Sequence, residues 1–320
     1  MTKKERVIGA IEGREVDGVP SSFSLHFPEE CVAGEAAVEA HIRFFEESDT
    51  DIVKVMNENV VPFRGHIRTP KEYGEIQDVS VTADFMQEQL ALSRKILDRC
   101  DQEAFKMGTL HGALASCNHV LKKTGLDYDQ ARKLLCSLLR EDEKPVLEGM
   151  KRICDGMCQL AAEYVKLGMD GIYYACLGGE RKYFTDEEYA RWIAPFDRQI
   201  MTAIKEAGGY CFLHICKDDL SMERFADYWQ YADVFNWGIY EVPFTLEEGR
   251  RMFHGKTVLG GLPNRSGVLV DGSCEDVKRE VRRVIESYGR KNFILGADCT
   301  LATEQDVSRV RAAVEAAREC

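Results

Sequence analysis

No stretch of this 320-residue sequence approaches the ~20 consecutive apolar residues that a membrane-spanning helix needs. Lysine and arginine are scattered and form no basic block; with a net charge of −12, that argues against a nucleic-acid surface or an anionic membrane as partner. The opening Met1-Thr2-Lys3-Lys4-Glu5-Arg6 is charged and leads into a short amphipathic segment, not the apolar core of a signal peptide, so a soluble, cytoplasmic protein is expected. The glycine fingerprint of dinucleotide-binding sheets is missing near the first strand-like run. Internal repeats, low-complexity segments, interdomain linkers and tight Cys-x-x-Cys pairs are likewise absent.

Cysteine, by contrast, is plentiful. Twelve in a large chain without a secretory signal point to reduced thiols and a reducing cytosol, that of an anaerobe among the candidates, rather than a disulfide framework. Most cysteines in such a chain are small core residues, so a functional cysteine must be recognised by its position.

Position follows from the order of elements. A helix is expected over 2–13, with Thr2 as N-cap and Val7, Ile8 and Ile11 at helical spacing. Strand-like runs then recur at 19–27, 51–56, 105–112, 170–175, 210–215, 233–237, 257–261 and 292–296. Helical patterns separate them, at 36–47, 83–101, 113–123, 128–140, 145–167, 186–207, 219–231, 245–253, 274–288 and from about 303. The Pro- and Gly-containing stretch 57–82 reads as an excursion at one end of the fold. Eight strands each followed by helix predict one (β/α)8 barrel over residues 1–320, with an N-terminal helical extension; such barrels typically take roughly 250 residues and tolerate insertions.

Barrels of this kind place their chemistry at the C-terminal ends of the strands. His214 and Cys216 end the fifth strand-like run two residues apart, hence on one face, and Cys299 follows the eighth. Neutral imidazole with two thiolates suits zinc, and three protein ligands leave a fourth position for water or a reactant. Glu180, beyond the fourth strand, is a candidate to complete the shell or to orient a ligand. His26, Asn57, His111, Tyr174, Asn236 and Trp237 fall at the same end and are candidate substrate-binding residues, with Tyr173 and Phe235 as further aromatic wall.

The chain resembles the uroporphyrinogen decarboxylase superfamily nearly end to end. The landmarks are KKERVIGAIEGREVDGVP, the Val60-Val61-Pro62 segment, GTLHGALASC, FTDEEYARWIAPFDRQI, ADVFNWG, LGGLPN and ILGADCTL. Within it the H-x-C and distant Cys of His214, Cys216 and Cys299 match the zinc-dependent methyltransferases of corrinoid systems. Decarboxylation of a porphyrinogen fits badly: residues 19–31 contain no arginine for its propionates, and Asn57 stands where the family's catalytic Asp is expected. The resemblance implies methyl transfer between a small methylated substrate and the cobalt of a corrinoid carried by a separate protein, since the cobalamin-binding D-x-H-x-x-G does not occur here. The donor would be an aryl methyl ether held in an aromatic slot, as in O-demethylase systems. The other branch has zinc activating a thiol acceptor of the coenzyme M kind; no cationic pair for an acidic thiol is evident from the sequence. A non-catalytic corrinoid- or tetrapyrrole-binding barrel and a metal-free lyase using His26, His111 and Glu180 stay as alternatives, and a homodimer as an open assembly state.

Overall fold

The computed structural model describes all residues except 63, 64, 66, 78 and 123–125, and the side chain of Lys122. The eight strands are β1 (Ser21–Ser22), β2 (Ile52–Val55), β3 (Phe105–His111), β4 (Gly171–Cys176), β5 (Tyr210–Ile215), β6 (Val234–Trp237), β7 (Thr257–Leu262) and β8 (Phe293–Ala297). They form one all-parallel sheet ordered β1-β8-β7-β6-β5-β4-β3-β2, with helices outside: a (β/α)8 barrel.

Only β1 departs far from the expected length. Two residues of the run 19–27 pair with β8, and a single bridge, Leu25 to Leu301, continues the contact. The β1/β2 seam is closed chiefly by a side chain. Asp51 accepts from the Ser21 amide at 2.9 Å and hydroxyl at 2.8 Å, and its own amide donates to the Ser21 carbonyl at 3.2 Å. Arg6 holds the other oxygen of this buried carboxylate at 2.5 Å.

Two helical expectations are revised. The run 186–207 is two helices, Asp186–Trp192 and Ala194–Glu206, parted where Pro195 withholds a backbone donor. The run 219–231 is not an α-helix but two 3-10 turns, Met222–Phe225 and Tyr228–Gln230. Met222, Phe225 and Tyr228 are buried at a spacing of three, the period of the tighter helix. In the excursion 57–82 the structure places a short helix, Pro70–Gly74, capped by Thr69; residues 63, 64, 66 and 78 lie outside the described residues, as does Lys123 at the end of the expected helix 113–123.

Strand alternation divides the interior into two levels. Ile52, Phe105, Met107, Phe212, Val234, Leu259 and Ile294 point inward and fill the lower barrel, and helix Lys3–Ile11 plugs the bottom with Val7 and Ala10. Thr2 and Glu5 form a reciprocal cap at that helix's start. Residues of opposite parity, such as Leu110, Tyr174, Leu213 and Phe235, pack outward against the helices. Tyr173 is the top of the inner apolar level and the floor of what lies above it.

Candidate metal centre

Above Tyr173 the barrel opens into a cavity of about 700 Å³. The register sets one row of its wall: His111 on β3, Ala175 on β4 and His214 on β5 are lateral neighbours in consecutive strands, and Asn236 on β6 continues the row behind His214. In a parallel sheet such neighbours project to the same side, so a small residue between two histidines leaves open space there.

His214, Cys216 and Cys299 meet at this level, with Nε2 and both sulfurs within 4.8 Å of one another. They are the group of potential ligands found among the described residues. Cys299 Sγ lies 3.4 Å from His214 Nε2, close to the ~3.6 Å separation expected of a sulfur and a nitrogen sharing one tetrahedral zinc.

The other ring nitrogen is committed elsewhere. His214 Nδ1 sits 2.5 Å from Asn236 Oδ1, which also accepts from the Tyr173 hydroxyl at 2.9 Å. The Asn236 amide donates to the carbonyls of Leu259 at 2.9 Å and Ala297 at 3.1 Å. All four hydrogen-bonding capacities of this buried amide are used, so its orientation is fixed and its oxygen must accept. His214 therefore carries its proton on Nδ1 and turns the Nε2 lone pair toward the sulfurs, the tautomer a metal requires.

The two thiols share a proton unequally. Cys216 donates to Cys299, which raises Cys216 well above the ordinary thiol value and holds Cys299 well below it; burial opposes the Cys299 thiolate, and the Lys54 cation favours it. Just beyond, Lys217 adopts a φ of 91°, a left-handed backbone that a side chain rarely takes without constraint from its surroundings. Two sulfurs sharing one proton beside an oriented imidazole are a donor set that fits a zinc ion, whose charge would displace that proton.

Glu180 is placed differently from a ligand. Its carboxylate is 1% exposed, accepts from Arg132 Nη1 at 2.8 Å and from the Gly178 amide at 3.0 Å, and is not within the ligand cluster.

His26, Asn57 and His111 line the cavity as expected. Loss of hydration and the Lys54 cation push His111 down to about 4. His26 is lowered by loss of hydration and by Lys54, Arg265 and Lys217, against an opposing pull from Cys299. Tyr174, Trp237 and Asn236 do not line it. Parity explains the first two: β4 turns Tyr173 inward and Tyr174 outward to Asp197, and β6 turns Asn236 inward and Trp237 outward onto Phe253 and the Phe244 carbonyl. Asn236 points inward but is spent on His214. Phe235 is also outward, stacked on Phe253, so Tyr173 alone of these four rings faces the cavity.

Several cavity residues escaped sequence reasoning: Lys54, Thr109, His119, Lys217 and Arg265. Lys54 had left a signal. It is a lysine between two valines in a fully buried strand, and a charge in such a run marks either an error in the strand or a purpose. It also answers the expectation that the mouth lacks cations. Among the described residues, Lys54, Lys217 and Arg265 make none of the ion pairs that bind most other basic side chains of this chain.

Among solved structures, a methyltransferase from Methanosarcina mazei matches 100% of this chain and 99% of its own, at 15% identity and a TM-score of 0.76. A B12-independent methionine synthase from Shewanella sp. W3-18-1, in complex with selenomethionine, matches 94% of this chain and 97% of its own, at 13% identity and a TM-score of 0.58. At these identities the likeness is one of fold. Comparison with curated protein sequences gives no match. Matched from residue 56 to residue 320 by the model described as Uroporphyrinogen decarboxylase (URO-D), well over half its length, the chain belongs to the uroporphyrinogen decarboxylase family.

Proposed function

We propose that this protein is a zinc-dependent methyltransferase that moves a methyl group between a small molecule and the cobalt of a corrinoid held by a separate protein. The observation that carries the reading is the convergence of His214 Nε2, Cys216 Sγ and Cys299 Sγ at the barrel mouth. A zinc ion held there supplies Lewis acidity, which favours the anionic form of a bound sulfur or oxygen.

The chain's own residues do the rest. Asn236 fixes the His214 tautomer, Cys299 offers a ready thiolate, and Cys216 gives up its proton as the metal enters, so uptake is expected to release a proton. Tyr173 forms the floor and Ala175 leaves the side clear, so a small reactant can rest against the triad while the open end of the cavity receives the corrinoid partner. Docking of that partner would exclude water from the mouth.

The methyl-bearing small molecule was expected to be an aryl methyl ether. Tyr174, Phe235 and Trp237 turn outward, which leaves Tyr173 as the one ring of that expectation in the cavity wall. The second branch, a thiol acceptor, gains support from the cations Lys54, Lys217 and Arg265 in the wall. The test is single-turnover demethylation of methylcobalamin, standing in for the partner's corrinoid, with a simple thiol as acceptor, before and after removal of metal by chelation. Loss on chelation and recovery with zinc are expected; full activity in the metal-free protein would overturn the reading.

A further inference from the structure

Among the described residues, the buried Lys54 makes no ion pair with a carboxylate. Its side chain rises from β2, where the backbone pairs with Met107 at the apolar level. The stem carries the ammonium up to the face of Tyr173, 3.5 Å from the ring centroid, and to the Ser24 hydroxyl at 3.1 Å. That hydroxyl lies 3.5 Å from Thr300, next to Cys299. The residue is 3% exposed. A charge so placed is costly unless something of opposite sign offsets it.

Among the described residues, the same cavity wall carries the carboxylates Glu58, Asp218 and Glu241 and the cations Arg132, Lys217 and Arg265. Cys299 and Cys216 are the principal anionic influences on Lys54, with Glu58 weaker than either, and His26 and His111 face it as neutral rings. A divalent zinc ion cancels two thiolates, so the loaded triad is electrically neutral and does not balance the ammonium. The charge then calls for an anion in the remaining space, beside the triad and above Tyr173.

We propose that Lys54 is the electrostatic partner of the small molecule at the metal centre, selecting an occupant that binds as an anion, a thiolate or the oxygen anion left when methyl departs, over a neutral one. This rests on the metal reading above. For a thiol, the S–H bond breaks, the electron pair stays on sulfur, and the proton passes to solvent; nothing is oxidised or reduced. Lys54 thus acts on protonation state and choice of ligand, whereas Tyr173 and Asn236 act on geometry.

The test uses the cobalt(II)-substituted protein, whose visible spectrum reports a ligand at the metal, with 2-mercaptoethanol as the anion-forming probe and imidazole as the neutral one. Metal uptake is measured first. A wild-type chain that takes up no cobalt or zinc defeats the metal reading itself, and this inference with it. With metal bound, Lys54→Met is expected to weaken 2-mercaptoethanol binding about tenfold or more at neutral pH, to raise the apparent pKa of thiol binding by about one unit or more, and to leave imidazole affinity unchanged. Lys54→Arg, which keeps the charge, is expected to stay near wild type for both probes. Equal weakening of both probes in Lys54→Met would show a structural prop, and no change in either would show an idle charge; each result overturns the inference while leaving the metal reading intact.

Discussion

The lower barrel and its mouth are built by the same strands and the same parity, yet they differ in every chemical respect. On β5, Phe212 points into the lower level and His214, two residues on, into the mouth; on β2, Ile52 is followed by Lys54; on β3, Met107 by Thr109 and His111. Below Tyr173 the interior is apolar and stoppered by the N-terminal helix. Above it stand an imidazole, two sulfurs and a lysine around open space. Going up one strand by two residues changes the work from holding the fold to doing chemistry, so mutations at the two levels should separate cleanly.

The largest effect is expected at the ligands. Cys299→Ser or His214→Ala should abolish stoichiometric metal binding and methyl transfer while leaving the melting temperature of the metal-free chain nearly unmoved, as metal titration and calorimetry would show. Phe212→Ala, one row below His214, should do the reverse. It should cost about 3–5 kcal/mol of stability through the cavity it opens and leave metal stoichiometry intact in the protein that remains folded, which denaturant titration with metal analysis would test. Should Phe212→Ala strip the metal without loss of stability, the division into two levels is wrong.

Asn236→Ala probes the boundary between the levels. Freed of its orienting partner, His214 should bind metal roughly ten- to a hundredfold more weakly, measured by competition with a chromophoric chelator; equal affinity would show that the Asn236 contact is packing alone. The smallest effect concerns acid. His41 accepts from the Met56 amide at the end of β2 and donates to Ala37, and burial pushes its ring down to about 4. An unfolded histidine titrates near 6.5, so below that pH the unfolded chain binds the extra proton. Stability from this group is therefore complete above about pH 6.5 and is lost as pH falls toward 4, by about 2 kcal/mol between pH 7 and pH 5. Urea midpoints across that range should show the slope, and His41→Gln should make it shallower.

Much of this contrast was legible in the sequence, for physical reasons that also mark where legibility stopped. The H-x-C ending of β5 can be read because a strand's period of two places both side chains on one face, and the distant Cys299 because barrel chemistry gathers at strand ends. Tyr173 and Tyr174 could not be told apart, because adjacent aromatics fix no phase and a slip of one residue exchanges inside for outside. Trp237 misled for the same reason, whereas His214, in phase with Asn236, fixed β6 only once the register was known. The 3-10 turns at 222–230 hid behind a pattern that passes for an α-helix. Lys54 could have been noticed, but its role depends on Tyr173 of β4 and on neighbours just beyond β1, β5 and β8 that no local pattern announces.

The central claim is that an imidazole and two sulfurs, brought together from β5 and the end of β8, hold a zinc ion. Metal analysis of the natively purified protein, alongside Cys299→Ser purified in the same way, tests it most directly. The account predicts about one zinc per wild-type chain and next to none in the variant; less than half a zinc per wild-type chain, or a variant that retains its metal, would contradict it.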